Sequence, residues 1–110
     1  MSIWLRYGYE FLGGVFLTNA IPHFVSGVCG RSFQSPFASP PGQGRSSSTS
    51  NVVWASMNIV AGYALLRHIG DFSLGRTDDA IAFGLGLLVF GLFLARYFGR
   101  YHGGNSPPGS

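Results

Sequence analysis

The sequence predicts an all-α integral membrane protein with three transmembrane helices, the first two an antiparallel hairpin joined by a long Pro/Ser/Gly loop. Three observations carry that expectation. Only 10% of the residues are charged against 46% hydrophobic, whereas a soluble domain carries about 25% charge and needs it on its surface. Three apolar runs of about 18–20 residues are each long enough to cross a hydrocarbon core as a helix. The polar residues are concentrated in one loop and one tail, so mean hydropathy stays at a modest +0.26.

Residues 1–102 read as one membrane domain, with spans at about 9–30, 52–69 and 79–98, a loop at 31–51 and a disordered tail at 103–110. Ile3, Trp4, Leu5, Tyr7 and Tyr9 suit a membrane interface ahead of the first span, and Arg6 and Glu10 lie one helical turn apart. A cleaved signal peptide is the competing reading for this segment. Glu10 in the charged region and an apolar core of only about 7 residues before Thr18 speak against it, and Val28 before Cys29 does not fit a lipoprotein signal. Pro22 should kink the span near His23.

In the loop, Pro36, Pro40 and Pro41 exclude a regular helix. Phe33 and Phe37 are its apolar exceptions, suited to covering the helix ends. Trp54 marks the interface of the second span, which Gly70 should cap after Arg67 and His68. Thr77, Asp78 and Asp79 suit the N-terminus of the third. That span presents Ala80, Gly84, Gly91 and Ala95 on one face, a groove for another helix. Arg96, Tyr97, Arg100 and Tyr101 anchor its exit. The positive-inside count is a tie. Arg6, Arg67, Arg76 and the terminal amine face Arg31, Arg45, Arg96 and Arg100, so orientation stays open.

The nearest thing to a site is a pair of mirrored stripes. Asn19, His23, Ser26 and Gly30 repeat the spacing of Asn51, Ala55, Asn58 and Gly62, each set on one helix face. Matching the span boundaries places His23 opposite Asn58, Asn19 opposite Gly62, Ser26 opposite Ala55 and Gly30 opposite Asn51. Buried polar groups seek partners, so Asn19, His23, Ser26, Asn51 and Asn58 form a candidate polar seam or ligand pocket. Gly14, Thr18, Pro22, Ser26 and Gly30 strengthen that face, leaving Leu17, Ala20, Ile21, Phe24 and Val28 to lipid. Helix packing alone also explains such stripes.

Other candidates are thinner. Arg31 and Arg45, with no acid between Glu10 and Asp71, suit an anion or lipid headgroup. Glu10, the one acid on the first span, can carry protons or bind cations, but its place near the end suits a solvated carboxylate or one paired with Arg6. Paired haem ligation within one chain fails on depth, since His68 and His102 lie at other levels than His23. One cysteine, Cys29, allows no intrachain disulfide. The seven Arg are scattered rather than clustered, against nucleic-acid binding. No metal, cofactor or catalytic motif is read from the sequence.

The runs Asn19-Ala20-Ile21-Pro22-His23-Phe24 and Ser35-Pro36-Phe37-Ala38-Ser39-Pro40-Pro41-Gly42, followed by Asn51-Val52-Val53-Trp54, resemble a group of small bacterial multi-pass membrane proteins. The resemblance implies a small protein of the bacterial inner membrane and brings no substrate or cofactor. Length and an early Glu are also similar to the small multidrug resistance transporters. Those have four helices where this sequence supports three, so none of their residues is carried over. The functional expectation is a non-enzymatic protein in the lipid bilayer, a homo-oligomer or an accessory subunit of a larger membrane complex. The alternatives are an oligomeric small-solute or ion transporter lined by Asn19, His23 and Asn58, and a haem or redox subunit.

Overall fold

The computed structural model describes residues 1–109; Ser110, the last residue of the expected tail, lies outside them. Three helices dominate, and each is long and apolar enough to cross a membrane. Helix α1 (Ile3–Val28) starts earlier than expected because Ser2 caps it, its Oγ accepting from Leu5 N at 3.1 Å. It runs through Pro22 without a break. Gly30, at φ 75°, ends it, with Arg31 N returning to Ser26 O.

The loop contains a minimal antiparallel ribbon, β1 (Phe33–Gln34) against β2 (Arg45–Ser46), with Phe33 opposite Ser46 and Gln34 opposite Arg45. Helix α2 (Ser48–Tyr63) begins inside the serine run, where Ser47 Oγ accepts from Ser50 N. A six-residue π-helical turn, Ala64–Ile69, continues it to Gly70, whose N–H returns to Leu65 O. Helix α3 (Thr77–His102) is preceded by Arg76. Thr77 does not supply the expected cap, and no side chain caps this terminus. Beyond Gly103, Asn105 folds back, its side-chain amide donating to Arg96 O at 2.9 Å.

Helix α1 is central. Antiparallel α2 packs along one side of it and parallel α3 along another, while α2 and α3 barely touch. Glycine allows both contacts to be close. A Cβ on Gly62 would meet the Leu17 side chain and the Gly13 carbonyl. A Cβ on Gly86 would collide with the Phe11 carbonyl, and one on Gly14 with that of Phe83.

This arrangement corrects the expected faces of α1. Gly14 and Thr18 approach α3 rather than α2. Ala20, expected to face lipid, is buried, and Leu17 lies on Gly62. A single buried stripe suits a helix with one neighbour, and α1 has two. Ile21, Phe24 and Val28 are exposed. The small face of α3 is partly used within the chain, since Gly91 adjoins Thr18; nothing lies near Gly84.

Candidate functional site

The seam residues meet, but in a register different from the expected one. Asn19 Nδ2 donates to Asn58 Oδ1 at 3.0 Å, and His23 Nδ1 lies 2.7 Å from Asn51 Oδ1. The expected pairing of His23 with Asn58 is therefore replaced. So are those of Asn19 with Gly62 and Gly30 with Asn51. The register was drawn from span boundaries, and α2 starts four residues before the expected Val52 because Ser47 caps it. That slides α2 along α1 by at least one turn. Gly27, not Ser26, approaches α2, near Val52 and Ser48. Ser26 is half-buried and lines a groove between α1 and α3.

Asn51 is fully buried and joins the loop to the helices. Its Nδ2 lies within hydrogen-bond reach of three carbonyls, Phe33 O (3.3 Å), Ser46 O (3.1 Å) and Ser47 O (3.0 Å). This contact set fixes its amide orientation, so Oδ1 accepts and His23 Nδ1–H donates. The neutral His23 ring then carries a lone pair on Nε2, and no hydrogen bond reaches that atom. The ring is edge-on to Phe33, Phe98 and Trp54, with centroids 5.6, 6.0 and 6.4 Å away.

The loop closes over this end. Phe33 stacks on His102 and Phe37 meets Trp54 edge-on. Gln34 and Ser35, which the sequence reading missed, are buried. Gln34 Oε1 lies 2.8 Å from His102 Nε2, and Tyr97 Oη donates to Gly42 O at 2.6 Å. Beneath the loop a groove of about 230 Å³ is lined by Asn19, His23, Trp54, Phe93 and Phe98, among others. Arg31 and Arg45 are exposed and line one polar depression with His102.

A second polar cluster lies at the opposite end, where α1 meets the start of α3. The Asp79 carboxylate is fully buried and accepts from Arg6 Nε (3.1 Å), Arg76 Nε (2.6 Å) and Ser73 N (3.1 Å). Arg76, just outside α3, also bonds Asp71 O, and its contact with Asp79 raises its already high pKa. Asp78 accepts from Arg6 Nη2 (3.1 Å) and Tyr7 Oη (2.6 Å).

Glu10 corrects the sequence reading most sharply. It is fully buried and unpaired with Arg6, and neither carboxyl oxygen has a donor. It faces the Asp79 carboxyl, with Arg6 and Arg76 nearby. A proton on Glu10 turns it into a donor toward Asp79, so the pair can hold one proton between two carboxyl groups. The only sequence hint was that Glu10 is the sole acid of its span. Its partners are about 70 residues away, beyond the reach of any local pattern.

No cluster of three or more potential metal-ligating side chains occurs among the described residues. Comparison with protein-family models, curated proteins and solved structures finds no match to this chain.

Proposed function

We propose that the chain is a small integral membrane protein of the bacterial inner-membrane type, with all three helices crossing the bilayer. It acts through interaction rather than catalysis, as a homo-oligomer or an accessory subunit. The observation that carries this reading is the groove along the α1–α3 contact. It has a volume of about 510 Å³, and its lining sets the small or polar Thr18, Pro22, Ser26, Gly91 and Ala95 beside larger apolar side chains. Small side chains let another helix approach closely. Thr18 Oγ1 is buried there without a hydrogen bond. The alternative of a solute or ion path along Asn19, His23 and Asn58 gains no support from a seam whose side chains bond to one another.

Size-exclusion chromatography with light scattering in mild detergent tests the proposal. A stable oligomer or a stoichiometric co-purifying membrane protein is expected. Ala95 is exposed, so Ala95→Leu should leave the fold intact and weaken association roughly tenfold. A monodisperse monomer with no companion overturns it.

A further inference from the structure

We propose that the polar depression at the end of α1 binds the phosphodiester headgroup of an anionic phospholipid, held by Arg31 and Arg45. The inference rests on the reading that the helices cross a bilayer, and not on what fills the α1–α3 groove. The molecule divides its charge by end. All four acidic side chains lie toward the far end, where Asp78 and Asp79 hold Arg6, and Asp79 also holds Arg76. The loop end carries Arg31, Arg45, Arg96 and Arg100 with no acidic side chain. Arg100 lies over the Tyr97 ring, whereas no hydrogen bond, ion pair or ring contact engages the guanidinium of Arg31 or Arg45 among the described residues. Both line a depression of about 480 Å³ together with Ser32 and His102. A guanidinium matches two phosphate oxygens with parallel N–H donors. Two such groups at one depression without an acid leave positive charge for a ligand to balance.

The fold fixes the walls of this depression. Arg31 N returns to Ser26 O, and Arg45 pairs with Gln34 in the ribbon. His102 reaches Gln34 Oε1 through Nε2 and stacks on Phe33. Three carbonyls at the end of α1, those of Val25, Ser26 and Gly27, are closed by returning N–H groups, which lessens their repulsion of an anion. Position favours a lipid over a soluble anion. The depression and the α1–α3 groove share Ser26, Phe33 and His102, and the groove continues to the exposed Ile21 and Val25. A headgroup in the depression therefore has apolar surface beside it for its chains. A zwitterionic lipid fits less well, since its ammonium meets arginines and no carboxylate side chain at this end.

The test uses the full chain, uniformly ¹⁵N-labelled, in maltoside micelles at physiological salt. Dihexanoyl phosphatidylglycerol, dihexanoyl phosphatidylcholine and inorganic phosphate are titrated separately, and the backbone amides of Gly30, Arg31 and Ser32 report binding. The phosphatidylglycerol should shift them saturably, with phosphatidylcholine about tenfold weaker and inorganic phosphate weaker still. Both arginines are exposed and unpaired, so Arg31→Gln and Arg45→Gln should keep the fold and each weaken phosphatidylglycerol binding about fivefold. Arg96→Gln removes the same charge from the same end but outside the depression, and should leave binding within about twofold. Equal affinity for the two lipids, or an equal loss in all three variants, overturns the proposal. Inorganic phosphate binding as tightly as phosphatidylglycerol overturns the lipid as its source. Light scattering on the same sample keeps the readings apart. A monomer that binds phosphatidylglycerol overturns the association proposal alone, and an oligomer indifferent to it overturns this one alone. A chain that stays soluble and folded without detergent overturns the membrane reading beneath both.

Discussion

Asp79 and Glu10 are neighbouring buried carboxyl groups with opposite surroundings. Asp79 accepts three donors, two of them cationic, while Glu10 has none. Removing the Asp79 charge leaves Arg76 without its nearest counterion and Arg6 with Asp78 alone. Asp79→Asn should therefore cost about 2–3 kcal/mol, at the lower end for a buried pair because both arginines are part-exposed. Glu10→Gln should behave differently. Its amide supplies the N–H that Asp79 faces, so stability should hold within about 1 kcal/mol or rise. Denaturation of both variants in the same detergent checks the contrast, and equal losses would contradict it. The chemistry of these residues was visible in the sequence as single acids and arginines. Their pairing was not, because Arg6 and Asp79 are joined by the fold rather than by helical spacing. The seam residues were legible as polar positions on two faces, yet their partners were misassigned because one serine cap moved the start of α2.

At the level of elements, the three helices were legible because each is a long apolar run with few charges. The loop was legible only as a break in helix. Its Ser, Pro and Gly content describes a flexible chain equally well, and only Phe33 and Phe37 hinted that it folds back. The α1–α3 contact gives a sharper test of element packing. Gly86→Ala places a methyl against the Phe11 carbonyl and should destabilise by about 1–3 kcal/mol. Gly84→Ala, two residues away with open space around it, should be neutral or slightly stabilising through helix propensity. Comparing their melting temperatures distinguishes a close helix contact from a general intolerance of α3. Similar losses in both would show that α3 packs by another face.

Across the whole molecule, α1 carries both helix interfaces and α2 and α3 have almost none of their own. The composition announced three spans but not which one would be central, because a glycine pair leaves the same trace in the sequence whichever neighbour it meets. The consequence is one of cooperativity. The protein is two helix pairs that share a member, so it has two units that can open separately. Loss of α3 frees Gly86, Asp79 and the contacts of Tyr97 and His102 with the loop, yet it leaves the Asn19–Asn58 and His23–Asn51 bonds in place. Hydrogen exchange should therefore find the amides of α3 opening at lower free energy than those of α1. A single shared opening energy for all three helices would argue against this. Loss of α1 has no such intermediate: the other two helices keep only the contacts that each makes with the loop.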